Sequence, residues 1–153
     1  MSVTPRLRPA GPGDVPGLLA LEQHFPSDRL SRAALRRFLR SPGARVWVAE
    51  RQQAICGALI LLTRAGSRRG RLYSLVVAPA ARGQGLGARL VRQAEALAVQ
   101  AGLRMLVLEV RADNAAARAL YADLGYAVER SLPGYYDDGA DGLRLSKPLG
   151  TAP

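Results

Sequence analysis

The stretch Leu72 to Gly87, LYSLVVAPAARGQGLG, constrains the fold more than any other part of this chain. A β-type run (Leu72, Tyr73, Leu75, Val76, Val77) ends at Ala78-Pro79, and Arg82-Gly83-Gln84-Gly85-Leu86-Gly87 then leads straight into a long amphipathic segment. Strand, glycine turn and helix in immediate succession require a sheet with a helix packed on it. Glycine next to a helix start lets backbone N–H groups approach a ligand closely, because no Cβ stands in the way. The first helical turn also carries unpaired N–H groups and a partial positive charge. Such a turn suits an anion, and a phosphate or pyrophosphate is its natural guest.

The segments on either side build the rest of an α/β domain. Val3 to Arg8 reads as a first strand, followed by a helix with Asp14 as N-cap and Val15, Leu18, Leu19 and Leu21 on its apolar side. Phe25-Pro26-Ser27-Asp28 breaks that helix, and Ser31 caps a second one carrying Leu35, Phe38 and Leu39. Val46 to Ala49, Ala54 to Thr63 and Leu72 to Val77 are three strands joined by short polar turns, hence antiparallel neighbours. In the following helix Leu86, Leu90, Val91, Ala94, Leu97 and Ala98 form one stripe, Arg92, Gln93 and Glu95 face outward, and Gly102 is the left-handed stop. Met105 to Val110 is a nearly continuous apolar run, as in a strand covered on both faces. Strand 72–77, helix 85–100 and strand 104–110 make a β-α-β unit whose strands should be parallel neighbours or near-neighbours. Asp113 or Asn114 caps a last helix holding Ala117, Leu120, Tyr121 and Leu124, and Tyr126 to Arg130 and Leu143 to Ser146 close the chain as a strand pair. The order β-α-α-β-β-β-α-β-α-β-β describes one α/β domain over residues 1–153 with a mixed sheet.

Composition narrows the function classes. No apolar run reaches the roughly 20 residues needed to span a bilayer, and the first residues, MSVTPRLRPAGPGD, contain no apolar signal core. A cytoplasmic location and no membrane partner are therefore expected. One cysteine, Cys56, and one histidine, His24, leave no basis for a disulfide or a metal cluster. Cys56 sits in an apolar strand and reads as core; His24 reads as surface or groove. The net charge of +10 comes from 22 basic and 12 acidic residues, and every basic residue except Lys147 is arginine. That balance favours anionic partners, although an arginine excess also has a genome-composition reading. Scattered arginines with only 5% aromatic residues do not make a direct nucleic-acid surface.

Gly83-x-Gly85-x-x-Ala88 also satisfies a dinucleotide fingerprint, with Glu109 some way beyond it. Against that reading, Ala-Pro-Ala-Ala-Arg separates Val77 from Gly83, and a three-strand meander precedes the loop. No Lys-Ser/Thr follows the glycines, so a Walker A loop is excluded. A glycine-rich turn without a ligand is the plainest alternative.

Arg82-x-x-Gly85-x-Gly87 resembles the acetyl-CoA pyrophosphate motif of the GNAT N-acetyltransferases. The block Leu108-Glu109-Val110-Arg111-Ala112-Asp113-Asn114 through Ala119-Leu120-Tyr121-x-x-Leu124-Gly125-Tyr126 resembles the same family, in particular its RimI-like branch, which acetylates the N-terminal α-amine of a ribosomal protein. Tyr135-Tyr136, and Leu21-Glu22-Gln23 followed by Phe25-Pro26, are similar to that branch as well. The C-terminal run Asp141-Gly142-Leu143-Arg144-Leu145-Ser146 departs from its acidic and aliphatic ending, which bears on the acceptor more than on the chemistry.

The resemblance implies a GNAT fold, mostly antiparallel, around a central β-α-β acetyl-CoA unit. It implies cofactor contacts from Leu75, Val76, Val77, Arg82, Gly83, Gln84, Gly85, Leu86, Gly87, Asn114 and Arg118, with a backbone N–H near Val76 or Val77 stabilising the oxyanion. It further implies Glu109 as general base, Tyr121 as general acid toward the CoA sulfur, and Glu22, Phe25, Tyr135 and Tyr136 along the acceptor groove. No metal enters. The residues themselves leave alternatives open. Glu109, the one carboxylate in Met-Leu-Val-Leu-Glu-Val, needs a partner, a shifted pKa or a task, and an ion pair with an arginine such as Arg111 would also serve. Tyr121 would equally pack on the core. The expected acceptor is a protein N-terminal amine or a lysine, with a small-molecule amine such as a polyamine or antibiotic, or a non-catalytic CoA sensor, as rivals. Monomer and homodimer are both compatible with the sequence.

Overall fold

The computed structural model describes residues 3–25 and 30–150. In chain order they form β1 (Arg6–Pro9), α1 (Val15–Glu22), α2 (Arg32–Arg40), β2 (Ala44–Arg51), β3 (Ala54–Leu62), β4 (Arg69–Val77), α3 (Leu86–Gln100), β5 (Met105–Arg111), α4 (Ala115–Asp123), β6 (Ala127–Leu132) and β7 (Gly142–Pro148). Element types and order follow the sequence reading. The strands make one mixed sheet in the order β1-β2-β3-β4-β5-β7-β6. All neighbours are antiparallel except β4 and β5.

Each face of the sheet carries its own core. Leu18 and Leu21 of α1 and Leu35 of α2 pack on Val46, Val48, Ala58 and Ile60. On the opposite face α3 buries the predicted stripe of Leu86, Leu90, Val91, Ala94, Leu97 and Ala98 against Leu59, Leu61, Leu72, Leu106 and Leu108. Tyr121 of α4 joins this second core. Gly102 has φ +80° at the end of α3, as a left-handed stop requires.

Several local expectations are corrected. The first strand begins at Arg6 rather than Val3, since Pro5 has no N–H to give the ladder. Asp14 holds the N-cap position of α1 as expected, but its side chain makes no capping bond: the carboxylate accepts from Gly11 N–H at 2.8 Å and pairs with Arg8 at 2.8 Å. That guanidinium holds the Asp14 carboxyl below its usual range. Asn114, not Asp113, caps α4, its side-chain oxygen accepting from Ala117 N–H at 3.0 Å. Ser31 caps α2 as expected. The break assigned to Pro26, Ser27 and Asp28 lies outside the described residues.

Glu95 does not face out. It accepts a hydrogen bond from the Tyr126 hydroxyl at 2.7 Å and pairs with Lys147 at 3.1 Å, because β7 and the end of α4 bring both donors under α3. Burial, and then the Glu95 carboxylate, push the Tyr126 phenol pKa well above its usual value. Glu95→Ala strips two partly buried donors of their acceptor, so we expect a loss of about 1–3 kcal/mol in urea unfolding. Glu95→Gln should recover part of that loss by keeping the Tyr126 hydrogen bond.

One feature of the sheet positions the site. Pairing between β4 and β5 covers only Arg69 to Arg71 against Met105 to Val107. The strands continue to Val77 and Arg111, so they splay apart and leave the β5-facing edge of β4 without ladder partners from Leu72 onward.

Candidate active site

The splay opens into a cleft of about 650 Å³, within the usual range for small-molecule sites. Its walls are the β4 segment from Arg71 to Val76 and the β5 segment from Leu108 to Arg111. Nine of the residues singled out in the sequence line it: Leu75, Val76, Glu109, Asn114, Tyr121, Glu22, Phe25, Tyr135 and Tyr136. They come from β4, β5, the N-cap and second turn of α4, the end of α1 and the segment after it, and the β6–β7 connection, and only the tertiary fold brings them together.

Glu109 stands where the strands part, with its side chain only 7% exposed. One carboxylate oxygen meets Arg71 at 2.5 Å and the other meets Arg144 at 3.1 Å. Arg111, the ion-pair partner named from sequence, is engaged elsewhere: it pairs with Asp113 at 3.2 Å and Asp138 at 3.0 Å, and lies over the Tyr136 ring. The register explains the exchange. Arg144 is directly opposite Glu109 on antiparallel β7, and Arg71 is opposite Val107 on parallel β4. Sequence reasoning missed both arginines; the one signal for Arg144 was the unusual run Asp141 to Ser146.

Tyr121 is 7% exposed and packs edge-on against Tyr126, with ring centroids 5.6 Å apart. Burial pushes its phenol pKa well above the usual tyrosine value, so the hydroxyl keeps its proton through neutral and alkaline pH. Glu22 is a buried carboxylate at the cleft wall and accepts from Leu30 N–H at 3.4 Å. Tyr135 and Tyr136 stack edge-on at 5.1 Å, and Arg71 donates to the Tyr135 hydroxyl at 3.3 Å. Cys56 is buried, its Sγ directed at the Ala49 carbonyl at 3.5 Å, and burial raises its thiol pKa, as befits core. His24 is exposed beside a separate hollow under α1.

The remaining predicted residues lie beyond the cleft's lining, on the turn before α3 or nearby. Gly83 and Gly85 have φ +76° and +79°, and Gly85 is the N-cap of α3. A Cβ built on either meets nothing within 4 Å, so the turn presents bare backbone to open space. With the N-terminus of a 15-residue helix behind it, this turn fits a pyrophosphate. Gln84 accepts from Arg51 at 2.9 Å. Leu86 is 2% exposed, so only its backbone is available to a ligand, and Gly87 lies over Leu120. The Arg82 guanidinium sits over the Phe25 ring, and its Nε donates to the Val77 carbonyl at 3.4 Å, linking turn, strand end and α1. Arg118 is exposed on α4 and donates to the Ala112 carbonyl at 3.0 Å.

A mixed sheet split at its one parallel pair, with a glycine turn and helix N-terminus at the end of the split strand, defines an α/β fold built around an open cleft. The family model described as "Acetyltransferase (GNAT) family" matches residues 15–126, and the chain belongs to that family. An IAA acetyltransferase of Azospirillum brasilense is 36% identical over 113 residues, covering 72% of each chain. An N-alpha-acetyltransferase of Arabidopsis thaliana is 36% identical over 77 residues, covering 50% of this chain and 40% of the relative. The matched stretch is about half or less of the length of several of the curated relatives. The ribosomal-protein-S18-alanine N-acetyltransferase of Escherichia coli shares the fold with a TM-score of 0.86 at 24% identity, over 97% of this chain and 96% of that one.

Proposed function

We propose that this protein transfers an acetyl group from acetyl-CoA directly to a primary amine, and that the amine is the N-terminal α-amine of a protein or peptide. The observation that carries the reading is the cleft itself: a buried carboxylate and a buried tyrosine line one split between β4 and β5, and the bare glycine turn follows the end of β4. Acetyl-CoA supplies the acetyl group as an activated thioester. Backbone N–H groups of Gly83, Gly85 and Gly87 hold its pyrophosphate, aided by the positive end of α3. The unpaired edge of β4, near Val76 and Val77, offers an N–H to the thioester oxygen as charge develops there. Asn114 flanks the same passage.

Glu109 removes the proton that an ammonium must lose before it can attack, directly or through one water. Arg71 and Arg144 fix its orientation. Tyr121 gives a proton to the departing sulfur, a role suited to a phenol that burial keeps protonated. Glu22, Phe25, Tyr135 and Tyr136 line the cleft, where aromatic faces and a carboxylate suit a cationic peptide terminus. An N-alpha-acetyltransferase among the relatives supports a protein acceptor. A small-molecule amine is the competing acceptor, and the bacterial IAA acetyltransferase is the observation in its favour.

The test is free-thiol release from acetyl-CoA with a panel of free-amine peptides, lysine peptides and small amines. Turnover of α-amine peptides is expected; turnover confined to small amines rejects the protein acceptor. Tyr136→Ala should raise KM for peptide more than KM for acetyl-CoA. Gly85→Val combines a β-branched side chain, a positive φ and a Cβ in the phosphate path, and is expected to abolish measurable CoA binding in calorimetry. Tight NAD binding with no response to CoA would instead support a dinucleotide site.

A further inference from the structure

Beyond Glu109, on the side of the sheet that carries α1 and α2, lies a second cavity of about 510 Å³. Among the described residues four arginines line it, Arg64, Arg69, Arg71 and Arg144, against a single acidic residue, Glu109. Arg71 and Glu109 also line the cleft, so the two hollows meet at the carboxylate where the reaction is placed. Arg71 and Arg144 share that one carboxylate, Arg69 pairs with Glu129 at 2.7 Å, and Arg64 makes no ion pair among the described residues. Four guanidiniums therefore face two carboxylates, leaving positive charge and many N–H donors unused. Arg69 and Arg71 are 50% and 45% exposed in their side chains, open to a ligand.

We infer that this cavity receives a carboxylate side chain from the first few residues of the acceptor peptide, making the enzyme selective for acidic N-terminal sequences. The inference rests on the peptide acetyl-transfer reading and specifies its substrate. The guanidinium fork matches a carboxylate bidentately, which a scattered positive field does not. The cofactor phosphates do not compete for it. The cavity adjoins Arg69 and Arg71 at the start of β4, whereas the glycine turn follows Val77, and a strand of that length spans roughly 26 Å. An extended peptide advances about 3.3 Å per residue, so a chain whose amine lies beside Glu109 carries its next side chains to the arginines.

The experiment compares peptides that differ only in Glu or Gln at positions two and three after a free N-terminal Ala. We expect kcat/KM to favour the Glu peptide by about tenfold or more, as charge-assisted bidentate pairing warrants. The double substitution Arg64→Gln/Arg69→Gln spares both partners of Glu109 and should bring that ratio close to one. The charge-matched control Arg36→Gln/Arg37→Gln on α2 should keep it. In parallel, N-acetylated versions of the same peptides, which cannot react, are titrated by fluorescence anisotropy, and the Glu peptide should bind more tightly to the wild type but not to the Arg64/Arg69 variant. A wild-type ratio near one, or a preference that survives the Arg64/Arg69 substitutions, overturns the inference while peptide acetylation stands. If no peptide turns over, the acetyl-transfer reading for peptides fails, and the anisotropy series decides the cavity's ligand by the same two criteria. Tighter binding of a short single-stranded oligonucleotide, lost in the same double variant, assigns the cavity to nucleic acid and also overturns it.

Discussion

Glu109→Gln is expected to lower kcat by about 10²- to 10⁴-fold, with the dissociation constant for CoA unchanged. The substitution keeps size and shape but removes the ability to accept a proton. A peptide α-amine has a pKa near 8, so around neutral pH most of it is ammonium and cannot attack. The defect should therefore shrink as pH rises through about 8 to 9, where the amine supplies its own free form. The fold should survive the change, since Arg71 and Arg144 are partly exposed and water can replace the lost charge. Circular dichroism and CoA affinity check that point. The geometry gives the rival explanation a definite form: both oxygens of Glu109 already serve as acceptors for guanidiniums. A Gln enzyme with wild-type rates from pH 6 to 9 would leave Glu109 as an ion-pair residue that organises the split. The base would then be sought at Glu22, the other buried carboxylate of the cleft among the described residues.

The apolar stripe and the end of the helix after the glycine turn were legible in the sequence, because the stripe recurs at helical spacing and the stop is a glycine in a left-handed conformation that glycine adopts without strain. The parallel pairing of β4 with β5 followed from the intervening helix. What local pattern did not carry was the charge pairing. Glu109 stood out as a carboxylate in an apolar strand, yet its partners come from β4 and β7, far along the chain, and only the registers Arg71 opposite Val107 and Arg144 opposite Glu109 deliver them. Arg111, nearer in sequence, is drawn away by Asp113 and Asp138. Glu95 was misread for a similar reason: helical periodicity assigns it to the outer face, but β7 reaches beneath α3 with Lys147. β4 began earlier than read because Arg69-Gly70-Arg71 offers no apolar alternation, although Gly70 is needed there. A Cβ at that position would come within 2.5 Å of Leu103.

Tyr121→Phe should also lower kcat by about 10²- to 10⁴-fold, but with a deficit that does not close as pH rises. Phenylalanine preserves the ring that packs edge-on against Tyr126, so the core of α4 should hold, and an unchanged thermal midpoint checks it. The hydroxyl is the only group removed. Burial raises the tyrosine pKa, so in the wild type the donor stays protonated across the working range and its contribution does not fade as the solution becomes alkaline. Supplying more free amine by raising the pH does nothing for a thiolate that leaves without a proton. The Tyr121→Phe deficit should therefore persist at pH 9, where the Glu109→Gln deficit has largely closed. The two profiles separate the roles: a deficit in both variants that closes together would place both residues on the amine side of the reaction. A Tyr121→Phe enzyme with wild-type kcat at every pH would reduce Tyr121 to a core ring, and the departing sulfur would then take its proton from water in the cleft.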